Sequence, residues 1–138
     1  MEQHELALDA TPRSPARARR WITDVVGPHG RFDVAVASLL VSELVTNVVL
    51  HARTGMVLRA STHGWRLRVE VGDGGTGRLG RRLAESADGG PGRGWQVVAE
   101  LAADWGVHSG ADAVGTVVWF ELDAVAADAA WVEEGLGA

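Results

Sequence analysis

At 138 residues, with 46% hydrophobic and 22% charged side chains, the chain has the size and balance of one globular domain with its own core. Cysteine is absent, which excludes disulfides, thiolate metal sites and cysteine nucleophiles and fits a reducing, cytoplasmic setting. The formal net charge of -5 argues against direct nucleic-acid or membrane-surface binding, and there is no lysine to serve a Walker-type phosphate loop. The polar N-terminus is unlike a signal peptide, and no apolar run reads as long enough to cross a bilayer.

In chain order, Glu5 to Ala10 alternates apolar and polar residues and reads as a short edge strand. Pro12 and Pro15 end it, and Pro15 suits the first turn of a helix running to about Val26. The basic run from Arg13 to Arg20 falls on this helix, either as a solvated face or as a docking surface for an acidic partner. After a Gly27-Pro28-His29-Gly30 loop, apolar periodicity predicts a long helix from about Asp33 to Ala52. Met56 to Thr62 and Trp65 to Val71 follow as strands, and His63-Gly64 between them makes an antiparallel hairpin. On the second strand Leu67, Val69 and Val71 face one way and Arg66, Arg68 and Glu70 the other, which predicts a sheet with one solvated face. Arg78 to Gly92 is polar and glycine-rich and reads as a loop, after which Gly94 opens a helix from Trp95 to about Trp105. Strands at Val107–Ser109 and Val114–Leu122, joined by a Gly-Ala-Asp turn, precede a helical tail anchored by Trp131 and Val132. The sum is one domain over 1–138, with a core over about 5–122 and a tail over 123–138. The expected class is α+β: a two-layer sandwich with a mixed, mostly antiparallel sheet and helices on one face.

Two clusters raise a chemical question. Gly72-Asp73-Gly74-Gly75-Thr76-Gly77 satisfies the dinucleotide pattern G-x-G-x-x-G, but also D-x-G-x-G, with Asp73 as the working residue. The dinucleotide pattern belongs after the first strand of a parallel βαβ unit, whereas this one follows the second strand of a hairpin. On the long helix, Glu43 and Asn47 are four apart and share a face, separated by about 40° of rotation. Leu39, Leu40 and Leu50 flank Glu43 on the helical wheel, and a carboxylate among leucines is costly unless paired or bound. These two and Ser42, Thr46 and His51 read either as the wet half of an amphipathic helix or as a general base with an oxygen donor suited to Mg2+. A second glycine cluster, Gly89 to Gly94, sits where a helix N-terminus could cradle phosphate.

E-x-x-x-N on a helix, D-x-G-x-G after a strand, G-x-G opening a helix and G-T before a last strand come in that order. In this order the chain resembles the GHKL superfamily of ATP-binding domains, shared by sensor histidine kinases and gyrase. SELVTNVVLHA, GRGWQVVAELAADWGV and GTVVWFEL are most similar to the stand-alone anti-sigma-factor serine kinases. The resemblance covers about Glu5 to Leu122 and implies a Bergerat-type fold binding ATP and Mg2+. It implies Glu43 as catalytic base, Asn47 as Mg2+ ligand and Asp73 as acceptor for the adenine amino group. It places Gly75 and Gly77 beside the base, Gly92, Arg93 and Gly94 at the phosphates, residues 78–90 as an ATP lid, and Thr116 behind the adenine. The implied activity is phosphorylation of a serine on an anti-anti-sigma protein, with sequestration of a sigma factor and formation of a homodimer. The alternative is a non-catalytic, nucleotide-responsive regulator of the same fold. The catalytic half of a histidine kinase is disfavoured, because no dimerisation helix pair with a phosphorylatable His is read before the domain, and a broken-off half acting with another chain stays open. The chain departs from the pattern at Trp95, where similar proteins carry leucine.

Overall fold

The computed structural model describes residues 2–74, 93–109 and 115–125. Its elements are β1 (Glu2–Leu8), α1 (Ser14–Val26), a 3-10 turn (Gly27–His29), α2 (Val34–Asn47), a π-helical extension of α2 (Val48–Ala52), β2 (Met56–His63), β3 (Arg66–Asp73), α3 (Arg93–Leu101), β4 (Asp104–Ser109) and β5 (Thr116–Asp123). The strands form one sheet in the order β1-β2-β3-β5-β4, and each pairing is antiparallel rather than mixed. β1 is an edge strand as expected, although it starts at Glu2 and ends at Leu8. The hairpin turn is Gly64-Trp65, one residue later than expected, with Gly64 at φ +62° and His63 paired with Arg66.

The inner sheet face is apolar because alternate residues point the same way. Leu58, Ala60, Leu67, Val69, Val71, Val118 and Phe120 are essentially fully buried. Against them α1 packs Ala18, Ile22 and Val26, and α2 packs Ala37, Leu40, Val41, Leu44 and Val45. Each buried Val, Leu or Ile stabilises the fold by about 1.5–3 kcal/mol. Asp33 starts α2 by accepting the Val36 N–H at 3.1 Å, a side-chain N-cap. Helix and π extension together form a 19-residue stretch, Val34–Ala52, of mean hydropathy 1.8. Length and composition alone would therefore allow a membrane span, contrary to the sequence reading. The packing against the sheet makes it the central core helix.

The outer sheet face is polar, as the alternation in β3 predicts. Arg66 bridges Glu121 and Asp123, and Arg68 bridges Glu70 and Glu121. The Arg68 guanidinium lies 4.1 Å from the centroid of the Trp119 ring. On the neighbouring strand Gly106 leaves room for that ring, since a Cβ there would sit 2.6 Å from it.

Candidate functional site

The C-terminal ends of α2 and β3 meet at one pole of the sandwich. Only Arg53, Thr54 and Gly55 separate the π extension from Met56, which pairs with Asp73 at the end of β3. Glu43 and Asn47 lie in the second half of α2, both half-buried, on the helix that packs against β3, β5 and α3. Helical spacing accounts for their shared side. The leucines around Glu43 do not enclose it, however: Leu40 is buried, whereas Leu39 is 40% and Leu50 57% exposed. Glu43 thus borders solvent and can meet a large substrate.

Asp73 is the last residue of β3, not a loop residue beyond it. Its Oδ1 accepts the backbone N–H of Thr116 at 3.2 Å, and Thr116, first in β5, is only 3% exposed. The two residues predicted to share the base pocket are therefore joined directly. Gly115 makes this contact possible. At φ +70° it brings its Cα so close to Asp73 that a Cβ would fall on the Asp73 carbonyl oxygen. Gly74, directly after Asp73, donates its N–H to Thr54 Oγ1 at 3.0 Å. Thr54 itself follows Arg53, a non-glycine residue at φ +56° whose N–H closes the π turn on the Val48 carbonyl at 2.8 Å.

Thr54 and Gly115 were not among the predicted site residues. In the sequence Gly115 signals only a turn, and nothing local distinguishes Thr54 from any loop threonine. Gly75, Gly77 and Gly92 lie outside the described residues, as do the predicted lid and the tail beyond Val125. At the start of that tail Asp123 still belongs to β5, and Ala124 and Val125 are not helical but donate their N–H groups to the Trp65 and Arg31 carbonyls. Arg93 and Gly94 form the first turn of α3. The helix ends at Leu101 rather than Trp105, because the Ala103 N–H joins the Glu121 carbonyl at 2.8 Å and Asp104 and Trp105 pair into the sheet. The last residue of α3 shares a hollow with the start of α2 and the end of β5. The C-terminal, negative end of the α3 dipole therefore lies beside the start of α2, away from Asn47.

These donors and acceptors suit a nucleotide. Asp73 is an acceptor-only carboxylate, the complement of an exocyclic amino group. Asn47 Nδ2 is buried and has no hydrogen-bond partner among the described residues. Leaving such a group unsatisfied costs about 1–3 kcal/mol, which a ligand oxygen would offset. Turned about, the same amide offers Oδ1 to a hard cation. Among the described residues no three His, Asp or Glu side chains gather as a metal cage, so a cation here would depend on Asn47 and on phosphate oxygens.

The comparisons with known proteins bear on the fold and the family. A profile described as the histidine kinase-like ATPase domain matches residues 8–122. The fold is similar to the crystal structure of the RsbU and RsbW domains of Rv1364c from Mycobacterium tuberculosis, at TM-score 0.68 and 23% identity over 90% of this chain. This chain spans 33% of the length of that one. It is also similar to the Acinetobacter baumannii histidine kinase AdeS, at TM-score 0.51 and 9% identity, covering 90% of this chain and 69% of that one. A search of curated proteins finds no match. At these identities the solved structures speak for the fold, while the profile, spanning most of the sequence, shows that the chain belongs to the histidine kinase-like ATPase domain family.

Proposed function

We propose that the chain is an ATP-dependent protein serine kinase of the anti-sigma type, acting on an anti-anti-sigma partner. The observation that supports this reading is the Asp73–Thr116 pair at the pole where α2 and β3 end, together with the buried Asn47 Nδ2 that lacks a partner among the described residues and with Glu43 one helical turn before Asn47. Asp73 holds the adenine amino group, with Thr116 behind it. Asn47 serves the Mg2+ that neutralises phosphate charge. Glu43 takes the serine hydroxyl proton as that oxygen bonds the γ-phosphorus and ADP leaves. A phosphate on the partner adds about -1.5 to -2 charges to its docking surface and releases it, which frees the kinase for a sigma factor.

The test is transfer of radiolabelled γ-phosphate to an anti-anti-sigma protein, with Glu43→Gln as control. The expected result is label on serine, with transfer lowered about 10²–10⁴-fold by Glu43→Gln while ATP binding persists. Binding without transfer would leave the nucleotide-responsive regulator, and label on a histidine would indicate a histidine-kinase half.

A further inference from the structure

The arginine run of α1 has no part in the nucleotide site, yet the fold gives it a definite place. Arg13 at the N-cap, Arg17 and Arg20 are exposed and fall within about 60° of one another around the helix. Arg13 and Arg17 flank the first turn, where the helix dipole disfavours cations and no acidic residue stands, and Arg20 is at the middle of the helix. Asp24 is the one carboxylate on α1. Among the described residues, neither it nor any other carboxylate forms an ion pair with these arginines. This concentration of like charge does nothing for the stability of α1.

The surface continues towards Glu43. Arg19 leaves the arginine face sideways, and its Nη1 donates to Ser42 Oγ at 2.8 Å, tying α1 to α2. Ser42 directly precedes Glu43, and the exposed Leu39 lies between them on the helical wheel. Crossing from α1 to α2, one therefore meets arginines, then an exposed apolar side chain, then the candidate base.

We propose that this surface docks an acidic protein segment, its carboxylates on Arg13, Arg17 and Arg20 and an apolar side chain on Leu39. Arg13 and Arg20 are about 10 Å apart along the helix, which matches carboxylates at i, i+4 and i+7 of a partner helix. A polypeptide satisfies both parts of the surface. Nucleic acid answers only the charge, and the chain's net charge of -5 repels it. The docking rests on charge and exposure, and only its delivery of a serine to Glu43 rests on the kinase reading.

The probe is a fluorescein-labelled helical peptide with glutamates at i, i+4 and i+7 beside a leucine stripe, titrated at low salt. Wild type binds it, and the combined variant Arg13→Glu, Arg17→Glu, Arg20→Glu binds at least about tenfold more weakly. That variant instead gains the peptide with lysines at those positions. Leu39→Ser weakens the glutamate peptide about threefold or more. The melting temperature of the triple variant is equal to or above that of wild type, because unfavourable charge has been removed from the helix N-terminus. Mg-ATP titration of the same samples is unchanged. No binding by wild type, equal binding by the triple variant, or equally tight arginine-dependent binding of single-stranded oligo-dT overturns the proposal. Peptide binding without any ATP binding removes the kinase reading alone.

Discussion

Gly115→Ala, set beside Gly64→Ala, isolates the close approach that organises the site. Both glycines have positive φ, +70° and +62°, so an alanine at either costs about 1 kcal/mol of left-handed strain. The space around them differs. Nothing lies within 4 Å of a Cβ at Gly64, whereas at Gly115 it falls on the Asp73 carbonyl oxygen and 3.3 Å from the Gly74 Cα. To make room, the ends of β3 and β5 must part, and the bond from the Thr116 N–H to the Asp73 carboxylate at 3.2 Å is lost. A hydrogen bond to a charged group contributes about 1.5–3 kcal/mol, so Gly115→Ala should cost about 2.5–4 kcal/mol in all. At about 4 °C per kcal/mol for a domain of this size, Gly64→Ala lowers the melting temperature by about 4 °C and Gly115→Ala by about 10–16 °C. Thermal unfolding followed by far-UV circular dichroism measures both. Melting temperatures for the two variants within about 2 °C of each other would refute the close-approach argument.

Two further outcomes follow from contacts at and beyond the site. Thr54→Val removes the acceptor of the Gly74 N–H, and ATP affinity should fall about 5–10-fold and be restored by Thr54→Ser; equal affinity for wild type and the valine variant in calorimetry would rule out this positioning role. Gly106→Ala puts a Cβ 2.6 Å from the Trp119 ring and should cost about 1–2 kcal/mol in urea unfolding. The same change in a Trp119→Leu background should cost less than half as much, and an undiminished cost would show that the ring is not the obstacle.

The sequence makes the hairpin legible because Leu67, Val69 and Val71 alternate strictly with Arg66, Arg68 and Glu70, and the burial follows that alternation. The helix carrying Glu43 and Asn47 is legible from its apolar period. Its π ending is not, since the widened turn at Val48 is set by the Arg53 N–H closing five residues back. Trp105 misleads because its spacing from Val98 and Leu101 suits a helix while its spacing from Val107 suits a strand. The sheet decides the matter by pairing Trp105 with Phe120. Asp73 could be singled out from the glycine pattern around it, and Thr116 from the G-T before the last strand. Thr54, which holds Gly74, and Gly115, which packs on the Asp73 carbonyl, could not, because they come from separate segments that only the fold brings together.

The most direct measurement is calorimetric titration of Mg-ATP into wild type, Asp73→Asn and Asn47→Ala, with the melting temperature of each recorded. Wild type should bind, and both variants should bind at least about tenfold more weakly, a loss of about 1.4 kcal/mol or more. Asn47→Ala should melt no lower than wild type, since it removes a buried Nδ2 that has no hydrogen-bond partner among the described residues. A wild type that takes up no nucleotide, or variants that bind as it does, would contradict the assignment of this pole as the ATP site.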